Sequence, residues 1–247
     1  MIRCRTAGRP AVLKVSPARK RVHDEAAALA RWKTVHVPAV LAVDERVGAL
    51  LIEAIEPGTP LDLSPGYPSL ETVAGLIRSL HDEGEPDPAY ETVAERSEYF
   101  FESGRKDYER GTDLEAVIPL ELYERGRQQA LRLAADLPAT VLLHGDLTPV
   151  NILDGGADRG LVAIGPAPCL GDPAFDAVDL VLWRAPDVQT ITARAQQLAP
   201  AIGADAERLL DWCAAFGAMI ALEIAAGSSS AGGQAIEPYL TLAELRT

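Results

Sequence analysis

His144, Gly145, Asp146 and Asn151 are the residues of this chain whose types and spacing could do chemistry. An apolar, β-rich run over residues 140–143 leads into His144-Gly145-Asp146, which no strand core would favour. Asn151 stands five residues after Asp146 and opens a second apolar pair, Ile152-Leu153. A Gly155-Gly156 turn then leads to another strand over residues 161–164. A carboxylate and, five residues on, an amide at the mouth of a small sheet suit phosphoryl transfer. Asp146 would accept the proton of an acceptor hydroxyl and Asn151 would hold a magnesium ion. Asx turns at a strand end explain a single Asp or Asn, but not the whole string.

A second constellation lies near the start. Residues 11–15 form a short apolar strand interrupted by Lys14, and residues 22–32 have helical spacing with Glu25 early. A strand lysine followed by a helix glutamate is the pair that positions nucleotide phosphates in kinase-like folds. Lys and Glu are common, so the pair takes its weight from the downstream loop.

The remaining elements must position these groups. Residues 40–43 and 49–55 read as two strands joined by an Asp-Glu-Arg-Val-Gly turn, stopped by Glu56-Pro57-Gly58. Residues 70–81 form an amphipathic helix on Val73, Leu76, Ile77 and Leu80, broken by Pro86 and Pro88. Residues 91–108 mix Tyr99, Phe100, Phe101 and Tyr108 with charges, as a surface helix with one packed side would. Helices are expected over 114–135, 177–183, 188–198, 206–226 and 236–245, with a flexible break at 228–233.

The net charge of −13 is unevenly placed. Residues 1–33 hold nine Lys/Arg against Asp24 and Glu25, a net of +7, so the rest of the chain carries −20. An acidic body disfavours nucleic acid and attracts a cationic small molecule, although acidity also serves solubility. Cys4, Cys169 and Cys213 show no paired spacing, which suits a reducing cytoplasm rather than a disulfide framework or zinc site. No apolar run follows the basic N-terminus, so no signal peptide is expected. The apolar stretch 209–225 contains Asp211 and Glu223 and reads as a buried helix, not a membrane span.

The run from His144 to Leu153 resembles the catalytic loop of the aminoglycoside phosphotransferase family, small-molecule relatives of protein kinases. Gly171-Asp-Pro-Ala-Phe-Asp176 is similar to its streptomycin and hydroxyurea resistance-kinase branch. The resemblance extends from about residue 11 onward. It implies an α+β, two-lobed protein-kinase-like fold with a shortened N-lobe sheet (residues 1–55) and a mostly helical C-lobe (residues 56–247). It implies ATP and Mg2+, with Asp146 catalytic, Asn151 on the metal, and Lys14 and Glu25 on the nucleotide. Backbone groups from Glu53 to Ile55 would bond the adenine edge, and His144 would pack beneath the loop. The implied activity is ATP-dependent phosphorylation of a hydroxyl on a small cationic molecule, an aminoglycoside such as streptomycin. Neither nucleic acid nor membrane is an expected partner.

Thr148 stands where the family often has a second histidine, a tolerable departure. Two further departures stand against full activity. Gly165, in Ile164-Gly165-Pro166-Ala167-Pro168, stands where the family has its second metal ligand, an aspartate, so a weakened magnesium site is expected. Asp172, seven residues on, is expected to cap a helix beginning near Pro173. Ahead of residue 11 Gly8 is the sole glycine, so no Gly-rich phosphate cover is expected, and the N-lobe sheet should have two or three strands. Two rival readings follow: a catalytically impaired pseudokinase, and a metal-dependent hydrolase using His144, Asp146, Asp172 and Asp176. The hydrolase lacks a second nearby histidine and leaves Lys14 and Glu25 idle.

Overall fold

Short, largely apolar strands build a sheet at the N-terminus of the computed structural model, which describes residues 1–110, 114–227 and 235–247. The break expected at 228–233 lies outside the described residues. β1 (Ile2–Thr6) and β2 (Arg9–Val15) form an antiparallel hairpin across Ala7-Gly8, both with positive φ. That is the geometry a two-residue hairpin turn demands. Helix α1 (Arg19–Arg31) follows, then β3 (Val40–Asp44) and β4 (Ala49–Glu53). The strand order is β1-β2-β4-β3. The sheet therefore has four strands, not the two or three expected, because Ile2-Arg-Cys-Arg-Thr6 adds an edge strand.

Register decides which side chains face α1. Val12 pairs with Ile52 and Lys14 with Leu50, so all four share one face. Leu50 and Ile52 are buried in one cluster with Val22, Ala26 and Leu29 of α1.

The rest of the chain is mostly helical. α2 (Leu70–Glu83) is capped by Ser69, whose side chain accepts from the Thr72 N–H. A two-residue strand, β5 (Glu91–Thr92), precedes α3 (Val93–Arg110). The single helix expected over 114–135 is two, α4 (Leu114–Val117) and α5 (Leu120–Ala135). Pro119 separates them, since proline disfavours helical conformation in the residue before it.

β6 (Val141–Leu143) leads into the catalytic-loop residues. β7 (Ile152–Asp154), the single-turn helix α6 (Gly156–Arg159) and β8 (Leu161–Ala163) follow, with β7 and β8 paired antiparallel. β9 (Cys169–Gly171) lies between β5 and β6 in a small three-stranded sheet.

α7 (Val178–Leu182), α8 (Val188–Ala201), α9 (Ala206–Ala225) and α10 (Glu237–Arg246) complete the chain. α9 is apolar nearly all round and runs through the core, as such a helix must. Among the described residues no helix is long and apolar enough to cross a membrane.

Candidate active site

The loop after β6 is held from below by one carboxylate. Asp176 is buried, and its two oxygens accept the backbone N–H groups of His144 (2.8 Å) and Gly145 (2.9 Å). His81 Nε2 lies 3.2 Å from the same carboxylate. Burial opposes the charge on Asp176, but the His81 bond and the backbone donors hold it below the usual carboxylate range. Gly145 has φ +73°, and a Cβ there would stand 2.1 Å from the Ala167 carbonyl oxygen, so only glycine fits.

His144 lies under the loop. Its ring stacks on Trp32 with centroids 6.2 Å apart, and Nε2 is 3.2 Å from the Ile164 carbonyl. Burial lowers its pKa to about 4, so the imidazole is neutral at physiological pH. Its packing is structural.

Asp146 rises from this platform. The Asn151 amide nitrogen donates to the Asp146 carbonyl oxygen (2.9 Å) and to its Oδ2 (3.0 Å). Burial pushes the Asp146 carboxyl up to about 6, against the Arg21 charge and the Asn151 bond. Lys14 and Glu25 form a hydrogen-bonded ion pair, with side chains only 16 % and 9 % exposed. A Cβ built on Gly165 would lie 3.5 Å from Lys14 Nζ and 3.6 Å from Asn151 Oδ1. The sequence-selected residues Lys14, Glu25, Asp146, Asn151 and Gly165 thus converge on one point.

That point tests the expected metal. A carboxylate at 165 would reach between Lys14 and Asn151, whereas glycine leaves the Asn151 amide oxygen without a charged companion. Among the described residues no group of three or more His, Cys, Asp or Glu could hold a metal ion. Magnesium wants near-octahedral oxygen ligands, usually one or two carboxylates with phosphates and water, and Gly165 adds no side-chain oxygen to such a set. The hydrolase reading loses its ligands as well. Asp172 Oδ1 accepts from the Ala174 N–H (2.9 Å), while Oδ2 takes Arg208 and the Trp212 indole N–H (2.8 Å). No helix begins near Pro173, so Asp172 does not cap one as expected; it closes the turn ahead of the single helical turn Phe175–Ala177, which has no side-chain cap, and anchors α9.

The segment after β4 meets the β7–β8 hairpin, where the Gly58 N–H donates to the Asp154 carbonyl (2.9 Å). The Glu53 N–H donates to the Ala39 carbonyl (2.9 Å), so it is committed within the sheet. The Ile55 N–H has no hydrogen-bond partner among the described residues. The Glu53 carboxylate accepts from Arg159 Nη1 (2.8 Å), and the same guanidinium donates to the Val35 and Val37 carbonyls. Arg159 ties the catalytic hairpin to the N-terminal sheet, a role the sequence did not reveal.

On the far side of Asp146 lie two adjoining cavities of about 160 and 360 Å³. Asp146, Thr148, Asp179 and Glu223 line both, and Phe100, Phe175 and Phe216 wall the first. Neither Asp179 nor Glu223 has a hydrogen-bond or ion-pair partner among the described residues. Burial raises each to about 7, reinforced for Asp179 by Asp146 and Glu223 and for Glu223 by Asp107 and Asp146. Sequence reasoning missed both as site residues. The available signal was a carboxylate interrupting an apolar run, Glu223 after residues 212–222 of α9 and Asp179 in α7.

The family model for aminoglycoside/hydroxyurea antibiotic resistance kinases matches residues 1–227. The chain belongs to that family. No curated protein sequence matches it. Its fold is similar to the choline kinase LicA of Streptococcus pneumoniae (TM-score 0.64, 16 % identity, 98 % of this chain and 87 % of that one). It is also similar to a thermostable mutant of aminoglycoside phosphotransferase APH(4)-Ia (TM-score 0.61, 15 % identity, 98 % and 89 % coverage). A third similar structure is an aminoglycoside phosphotransferase from Alicyclobacillus acidocaldarius (TM-score 0.55, 13 % identity, 100 % and 89 % coverage). The α+β, protein-kinase-like fold read from the sequence is therefore the fold of this protein, and its family is one of small-molecule kinases.

Proposed function

We propose that the protein transfers the γ-phosphoryl group of ATP to a hydroxyl on a small cationic molecule, with an aminoglycoside such as streptomycin as the first candidate. The observation that carries the cationic substrate is the pair of unpartnered carboxylates, Asp179 and Glu223, in an aromatic-walled cavity beside Asp146. Two half-buried carboxylates without protein partners are poorly solvated, and an incoming cation would pair with them. Aromatic faces at the same wall add attraction for a cation.

In this reading Asp146 orients the acceptor hydroxyl and takes its proton. Asn151 fixes the Asp146 carboxylate through its amide. Lys14, held by Glu25, neutralises nucleotide phosphate. Within the Glu53–Ile55 segment, the free Ile55 N–H offers a donor to the adenine edge. A magnesium ion would accompany the nucleotide phosphates, held by them more than by this chain.

The second reading is a catalytically impaired binding module, favoured by the glycine at 165. Labelled ATP incubated with streptomycin, hydroxyurea and choline, with magnesium and with EDTA, separates the two. Phosphorylated product supports the kinase. Saturable binding of ATP and a cation with no product over hours supports the impaired module.

A further inference from the structure

The cavity beside Asp146 extends past the two carboxylates already described. Asp62 lines its larger part together with Asp146, Asp179 and Glu223, and no Lys, Arg or His among the described residues lines it with them. Asp62 does not line the smaller part, which Phe100, Phe175 and Phe216 wall. A compact cation seated against those rings would meet Asp179 and Glu223 and leave Asp62 untouched.

Asp62 comes from a separate part of the chain. It lies in the single helical turn Leu61–Leu63, between β4 and α2. That turn is pinned on two sides through its backbone. Toward the catalytic hairpin, the Asp154 N–H donates to the Thr59 carbonyl at 2.8 Å, and Pro60 bridges to Leu153 of β7. Toward α7, the Arg184 guanidinium donates to the Asp62 and Ser64 carbonyls, each at 2.7 Å. Arg184 stacks on Trp183, 4.5 Å from the ring centroid, and Trp183 lines the same cavity. This guanidinium thus bonds main-chain oxygens of the turn and not the Asp62 carboxylate. The carboxylate has no hydrogen-bond or ion-pair partner among the described residues, and its Oδ1 is buried. A buried carboxylate oxygen with no donor carries a desolvation cost that nothing in the turn offsets.

We propose that Asp62 is a specificity-determining residue that seats a second cationic group of the substrate, in the cavity that takes a first cation at Asp179 and Glu223. The inference rests on the cationic-substrate reading above and deepens it. The preferred acceptor carries two positive charges, and its accepting hydroxyl is held at Asp146, which lines both parts of the cavity. A molecule with one charge fills one seat and leaves the Asp62 carboxylate unpaired. Discrimination by an unpaired polar group is stronger than discrimination by shape alone.

The test is calorimetric titration at pH 8 with two probes: streptomycin, which carries two guanidinium groups, and choline, which carries one fixed charge. Each is titrated into the wild type, Asp62→Asn, Asp62→Glu and Asp179→Asn, at low and at high salt. Asparagine keeps the size of the side chain and breaks no hydrogen bond, so the melting temperature of Asp62→Asn should stay close to that of the wild type. Asp62→Asn should weaken streptomycin by about tenfold and leave choline unchanged, and its streptomycin affinity should fall less steeply with salt. Asp62→Glu should keep much of the streptomycin affinity, and Asp179→Asn should weaken both probes. If Asp62→Asn binds streptomycin as tightly as the wild type, or loses choline by the same factor, the Asp62 assignment fails, while Asp179-dependent binding of either probe leaves the cationic-substrate reading standing. If the wild type binds neither probe, both fail.

Discussion

The Asn151 side-chain amide donates to both the carbonyl oxygen and Oδ2 of Asp146, at 2.9 and 3.0 Å. One five-residue loop therefore fixes the carboxylate proposed as the base, and Asn151 Oδ1 is left turned toward Gly165. A base held this way at about 6 is ionised, and competent, above that pH. Turnover should rise with pH through about 6. Asp146→Asn should cost roughly 10²–10⁴ in turnover with nucleotide affinity nearly unchanged. Asn151→Ala removes a bond that favours the charged carboxylate, so its pH–rate midpoint should move upward. A pH–rate profile of each purified variant checks this, and an unshifted midpoint would detach Asn151 from the base.

Asp179 and Glu223 set a second pH dependence. Both are pushed up to about 7 by burial first and neighbouring carboxylates second, so each must ionise before it can pair with a cation. Affinity for a cationic substrate should therefore rise with pH through about 7. Stability runs the other way. Their folded values lie above the unfolded ones, so their contribution is full below about pH 4 and lost as pH rises through about 7. Asp179→Asn should gain thermal stability over the wild type at pH 8 and little at pH 4. It should lose about tenfold in cation affinity at pH 8. Melting curves at both pH values, with calorimetry against streptomycin and choline, measure the two effects.

Lys14 and Glu25 are both largely buried, which makes their pairing a stability statement as well as a functional one. Lys14→Met strands the Glu25 carboxylate and should cost about 3 kcal/mol or more. The double variant Lys14→Met/Glu25→Met should regain much of that loss, because apolar replacements of a buried pair pack well. ATP affinity should stay low in both. A double variant as unstable as the single one would mean that the cost is lost packing rather than an unpaired charge.

Local pattern made much of this legible. Short apolar runs marked β2 and β4, helical spacing on Val73, Leu76, Ile77 and Leu80 marked α2, and the string around Asp146 and Asn151 marked the loop. β1 was not read, because Ile2-Arg-Cys-Arg-Thr6 is largely exposed and carries little apolar signal. Long-range partners were harder still. Asp176 binds the backbone of His144 and Gly145 across more than thirty positions, and nothing local announces that bond. Arg159 grips carbonyls at 35 and 37. Asp179 and Glu223 sit on separate helices and meet only after α9 has packed through the core. Their types were visible in the sequence, but their shared cavity is a product of tertiary packing.

Gly165 offers the sharpest substitution. A Cβ there has room, meeting nothing closer than Lys14 Nζ at 3.5 Å and Asn151 Oδ1 at 3.6 Å. The backbone is left-handed at φ +66°, which costs a non-glycine residue about 1–2 kcal/mol, with Asp among the residues that tolerate it best. Gly165→Asp should therefore fold with a modest loss of thermal stability. Its carboxylate would enter the space between lysine and amide and give a magnesium ion a charged ligand beside Asn151. ATP binding should become markedly stronger with magnesium than with EDTA, a difference that should be small in the wild type. Turnover should rise as well. Calorimetry with ATP, with and without magnesium, on both forms decides this. If the glycine form already shows full magnesium dependence and aspartate adds nothing, the metal is held in another way.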